Sequence, residues 1–134
     1  MEARLAGCDW AHCVGARSGP EKAAFFRRAN VILNPGLVGL HVLDAFCAGL
    51  PMFTTASARH GPEIEYLEHG RNGFVVADDA AVYAEAVVAV LRDPGRYAAV
   101  AAAARASARE YTLDNMVRNF AGGIEDCLRL GGGD

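Results

Sequence analysis

No CxxC pair occurs among the four cysteines, Cys8, Cys13, Cys47 and Cys127, and the histidines at 12, 41, 60 and 69 are dispersed without HxxxH or HExxH spacing. Neither a metal centre nor a redox dithiol is indicated, and the thiols read as reduced and mostly buried, as cysteine usually is. No apolar run approaches the roughly 20 residues that span a bilayer, and the N-terminus has no signal-peptide core, so the expected location is cytoplasmic. GxGxxG, a Walker lysine loop and a GxSxG elbow are all missing, which disfavours a standard dinucleotide site, an ATP site and a serine hydrolase. Excess basic charge is missing too. Thirteen Lys+Arg against sixteen Asp+Glu leave a formal net charge of -3 and a pI near 5.8, which argues against the broad basic face of a nucleic-acid binder.

Apolar material, in contrast, is plentiful. Hydrophobic residues make up 52% and charged residues 22%, with a mean hydropathy of +0.12, enough for a core and too much for a disordered chain. The 134 residues fit one domain at roughly 100–200 residues per domain. A cleft between two full domains would have to borrow its second wall.

Short apolar runs alternate with longer helical patterns, the order that produces βαβ units and a parallel sheet, so the expected class is α/β. Residues 10–14 (WAHCV) read as a first strand ending at Gly15. A helix follows over about 20–29, with Ala23, Phe26 and Ala29 on one face and Arg27-Arg28 in its last turn, where cations suit the dipole. Val31-Ile32-Leu33 reads as a strand covered on both faces, broken by Asn34-Pro35-Gly36. Next come a helix at 39–49 stopped by Gly49, a strand at 51–55, a polar loop at 56–61 and a short helix at 62–68. Asn72-Gly73 makes a turn into a last strand, Phe74-Val75-Val76. From there the chain is helical: one helix capped by Asp78 or Asp79, an alanine-rich one to about 110, and a final one after Thr112 through Leu130. Residues 131–134 should fray, and residues 1–5 resemble the tail of a helix, a hint of an upstream βα portion.

Ligands of an open parallel sheet sit beyond the carboxyl ends of its strands. Two loops there carry chemistry. In the first, residues 34–41, Gly36 and Gly39 admit close backbone approach, and the free N–H groups of residues 39–41 form an anion site, with Asp44 in the second helical turn. Asp44 has the reach to accept hydrogen bonds from vicinal ribose hydroxyls; equally, it serves as an exposed carboxylate at a favourable dipole position. The second loop, Ala58-Arg59-His60-Gly61-Pro62-Glu63, offers a cation, an imidazole and an early-helix carboxylate to a phosphate or sugar, or else is a solvated loop.

Together, Ala29-Asn30-Val31-Ile32-Leu33-Asn34-Pro35, then Gly39-Leu40, Leu43-Asp44-Ala45-Phe46 and Gly49-Leu50-Pro51, resemble the signature of GT-B glycosyltransferases of the large group-1 family. The block Gly61-Pro62-Glu63-Ile64-Glu65-Tyr66 followed by Gly70-Arg71-Asn72-Gly73-Phe74-Val75-Val76 resembles that family's next motif, in the right order and separation. The resemblance covers about residues 10–128 and implies a Rossmann-like, partial C-terminal GT-B domain, the part that grips a nucleotide-diphosphate sugar. It implies that Asp44 replaces the glutamate that binds ribose and that the amides of Gly39, Leu40 and His41 take the diphosphate. Gly36, Arg59, Gly61 and Glu63 complete the implied substrate-binding set.

Two departures matter. The first glutamate of the family's paired acidic motif falls at Gly36, so the carboxylate near the donor sugar is missing, and the family's early basic residues have no counterpart, with Arg59 as a partial substitute. Transfer builds negative charge on the departing diphosphate, which helix amides and cations would stabilise; the resemblance implies no cofactor and no metal, the nucleotide sugar being a substrate. A half-site leaves the reacting centre open to water, so transfer is expected only with an acceptor-domain partner or a homo-oligomer that closes it. The rival readings are a non-catalytic interaction module and an inactive truncated remnant.

Overall fold

The computed structural model describes residues 7–131. The helix-tail reading of residues 1–5 and all but Gly131 of the fraying tail lie outside them. The order is α1 (Gly19–Arg28), β1 (Ile32–Leu33), α2 (His41–Ala48), β2 (Met52–Thr55), a 3-10 turn (Pro62–Tyr66), β3 (Gly73–Val76), α3 (Ala80–Leu91), α4 (Pro94–Glu110) and α5 (Leu113–Gly131). The three strands form one parallel sheet in the order β1-β2-β3, with Ile32 opposite Met52 and Phe53 opposite Phe74. The α/β, Rossmann-like expectation is met.

Alternation along the strands divides the core between the two faces of the sheet. Met52 joins Val38, Val42, Phe46 and Ala104 on one side, under α2 and α4. Phe53, Phe74 and Val76 turn the other way and pack with Val87, Val90 and Val100 of α3 and α4. Phe53 and Phe74 stack across β2 and β3 with ring centroids 4.6 Å apart. The alanine-rich α4 belongs to both halves because small residues let it lie close, burying Ala101, Ala104 and Ser107.

Local signals placed most helix ends. Gly49 closes α2 at φ 66, the left-handed conformation a glycine adopts without strain. Asp79, rather than Asp78, caps α3, accepting from the amides of Ala81 and Val82; Asp78 receives the hydroxyl of Ser57 instead. Asp93 caps α4 just ahead of Pro94.

Five expectations need correction. Residues 10–14 form no strand: this segment is mostly exposed, with Trp10 79% accessible, and it forms no ladder with the open edge of β1, without which an extended segment is not a strand. Nor is β1 covered on both faces; it is a two-residue edge strand with Leu33 half exposed. The segment at 62–68 is a 3-10 turn of five residues, and α2 begins two residues later than expected, which puts Asp44 in its first turn. The cysteines are free but not buried. Cys13, Cys47 and Cys127 are exposed and Cys8 is intermediate, since all lie on loops or outward helix faces.

Candidate functional site

The two loops singled out above lie at the carboxyl ends of β1 and β2 and are tied to each other. Asn34 closes the first: its side-chain amide donates to the Leu37 carbonyl at 2.9 Å and to Nε2 of His41 at 2.8 Å, which leaves the proton of the neutral ring on Nδ1. The buried hydroxyls of Thr54 and Thr55 hold the same loop from below, donating to the carbonyls of Gly36 and Pro35. His60 is the link between loops. Its Nδ1 accepts from the amide of the fully buried Val38 at 3.1 Å, and its Nε2–H donates to the Thr55 carbonyl at 2.8 Å. The Gly61 amide returns a bond to the Val38 carbonyl at 3.0 Å.

This stitching turns the start of α2 toward solvent. Among the described residues, the amides of Gly39, Leu40 and His41 have no hydrogen-bond acceptor, and Leu40, in the N-cap position, is exposed. An added Cβ at Gly36 would meet nothing within 4 Å, and one at Gly39 only the Leu37 side chain at 3.7 Å, so these glycines leave open room beside the amides. Gly61 is different: a Cβ there would press on the Val38 carbonyl at 3.2 Å and strike the carboxylate of Glu63, which folds back over it. Gly61 is thus fixed by the joint between the loops.

Asp44 stands one turn from the open amides. Its Oδ2 accepts a charge-assisted hydrogen bond from Nζ of Lys22 at 2.7 Å, reaching across from α1. Both line a groove of about 460 Å³ between α1 and α2, walled by Gly19, Ala23, Phe26 and Cys47, within the range of small-molecule sites. Sequence reasoning missed Lys22, Asn34 and the two threonines, and it weighed His60 without finding its role. Arg59 is exposed and makes no ion pair among the described residues, and neither it nor Glu63 hydrogen-bonds to Asp44. No three His, Cys, Asp or Glu side chains converge among the described residues. No helix among them is long and apolar enough to cross a membrane.

The family described as Glycosyl transferases group 1 matches residues 1–93, most of the chain and both loops. The chain belongs to the group 1 glycosyl transferases. Its fold is shared with solved structures of low identity. Sucrose-phosphate synthase from Thermosynechococcus elongatus superposes with a TM-score of 0.73 at 20% identity, over 98% of this chain and 34% of that one. HepE from Anabaena, solved in complex with UDP, gives a TM-score of 0.65 at 18% identity, over 81% of this chain and 30% of that one. This glycosyl transferase chain therefore spans about a third of the length of those structures. No curated protein matches it.

Proposed function

We propose that this chain grips the nucleotide-diphosphate portion of a sugar donor, with the diphosphate on the amides of Gly39, Leu40 and His41 and the ribose hydroxyls on Asp44. The observation that carries the reading is the trio of acceptor-free amides one turn from a half-exposed carboxylate, in a member of a sugar-transferring family. A helix N-terminus carries about half a positive charge, so it binds the ground-state diphosphate and stabilises it further as the glycosidic bond breaks and charge accumulates there. In this reading protein dipoles take the role that a metal has elsewhere, and no cofactor is required. The groove between α1 and α2 takes the nucleoside, with Phe26 offering an aromatic wall. Arg59 is an exposed cation on the second loop, available to the phosphates, and Glu63 is assigned to the sugar, where Gly36 supplies no carboxylate. The site suits a cytoplasmic pool of activated sugars.

Transfer also needs an acceptor-binding wall. The described part of α5 carries an apolar face, Leu113, Met116, Phe120, Ile124 and Leu128, with no buried residue on the helix. An apolar groove of about 540 Å³ runs from this face to Leu40 beside the open amides. A polypeptide supplying the acceptor site would cover that face and close the reacting centre against water. The same face favours the second reading, a non-catalytic module that docks a partner through α5.

Calorimetry with UDP and the Asp44→Ala variant tests the first reading. Saturable binding that weakens about tenfold in the variant, the worth of one charge-assisted hydrogen bond, supports it. No binding at millimolar UDP by the folded chain would discard it in favour of the module.

A further inference from the structure

Lys22 is the only lysine of the chain; the other twelve of its thirteen cationic residues are arginines. It sits where its ammonium meets Asp44. We infer that Lys22 is a positioning residue for the donor: it pins one oxygen of Asp44 so that the other faces a ribose, and thereby lets the site distinguish ribonucleotides from 2′-deoxyribonucleotides. This rests on the nucleotide-site reading above.

Three features lead to it. First, the contact is one-sided. Oδ2 takes the Lys22 bond at 2.7 Å, whereas Oδ1 receives no hydrogen bond from the described residues. An ammonium is a point charge that can engage a single oxygen, while a guanidinium is a planar fork that matches both oxygens of a carboxylate and would fill Asp44. Second, the pair bridges two elements. Lys22 comes from the first turns of α1 and Asp44 from the first turn of α2, so the carboxylate is fixed relative to both walls of the groove that holds it. The lysine stem is itself placed, with Nζ 5.8 Å from the centre of the Phe26 ring. Third, the pair solves a charge problem. A bare Asp44 beside the open amides would repel an incoming diphosphate, and the ammonium cancels that charge without occupying the amides.

Both side chains are part-exposed, 41% and 34%, so an isolated pair of this kind adds little to folding and its substitution leaves the chain intact. Its consequence is orientation. Two neighbouring hydroxyls can share Oδ1 of a carboxylate held still; a free carboxylate samples several rotamers and loses that register.

The test measures the affinities of UDP and 2′-deoxy-UDP for the wild type, Lys22→Met, Lys22→Arg and Asp44→Ala, with thermal unfolding as a check on the fold. The wild type should prefer UDP by about tenfold, one hydrogen bond to a charged group. Lys22→Met and Lys22→Arg should both bring that ratio close to one, the first by releasing Asp44 and the second by occupying it. A wild-type ratio retained in Lys22→Arg would mean that charge alone matters and would overturn the inference. So would equal weakening of both nucleotides in Lys22→Met, which marks a direct phosphate contact. Asp44→Ala separates the two levels. If it erases the preference while both lysine variants keep it, only the role of Lys22 falls; if it leaves the UDP affinity untouched, the ribose assignment itself fails.

Discussion

Replacing His60 with alanine removes the one side chain that bonds both loops of the site. The imidazole makes two hydrogen bonds, from the Val38 amide at 3.1 Å and to the Thr55 carbonyl at 2.8 Å. Val38 is fully buried, so its amide is left without water or protein as a substitute partner. A lost pair of neutral hydrogen bonds plus one stranded buried donor costs about 3 kcal/mol. For a domain of this size that corresponds to a fall in Tm of about 10 °C. The assay is thermal and urea unfolding, joined to hydrogen exchange read at single amides. Val38 and Gly61 should lose protection early, whereas the β2 amides, inside the sheet, keep theirs until global unfolding. His12→Ala is the control, because His12 is exposed and makes no hydrogen bond among the described residues. A His60→Ala melt within about 3 °C of wild type, the shift that corresponds to ~1 kcal/mol, with Val38 still protected, would refute the view that His60 joins the loops.

Three further outcomes follow from the packing. Asn72→Ala should cost about 3 kcal/mol in urea titrations, because the fully buried amide bonds the Tyr66 carbonyl, the Ser107 hydroxyl and the Glu68 amide at once; a loss under ~1 kcal/mol would contradict that account. Gly49→Ala should cost about 1–2 kcal/mol from its φ of 66, and more from a collision with the Arg105 side chain; adding Arg105→Ala should restore the steric part only. Tyr83, whose hydroxyl donates to the Phe53 carbonyl, has its pKa raised by burial, opposed by a weaker backbone contact with Asn34. The folded state therefore holds that proton more tightly than the unfolded one. Its stabilising effect is complete below pH 10 and declines as pH rises through the folded value, so unfolding free energy should drop above pH 10 and drop less steeply in Tyr83→Phe. Tyr111, raised by burial and then by Glu110 and Glu68, adds a share in the same direction that the variant leaves in place.

How far the site could be read in advance depends on the range of each interaction. The helix entry near Gly39 and Asp44 beside it were legible to within two residues, because glycine spacing and helix entry are properties of neighbouring residues. The stop at Gly49 and the cap at Asp79 were legible for the same reason. The family motifs suggested the ribose and diphosphate roles proposed above. What could not be read was anything joining distant segments: His60 reaching Val38 across 22 positions, or Thr54 and Thr55 holding up the loop 18 to 20 positions before them.

The sequence by itself determined the alternation of strands and helices, the caps and the family, because hydrophobic period and turn chemistry act over a few residues. Only the tertiary structure decided that residues 10–14 stay outside the sheet, since a strand exists only where the chain is laid along another, and this segment is not paired with the open edge of β1. It also decided that Asp44 is not a bare carboxylate. Lys22 lies 22 positions away and meets it only once β1 has set α1 and α2 side by side.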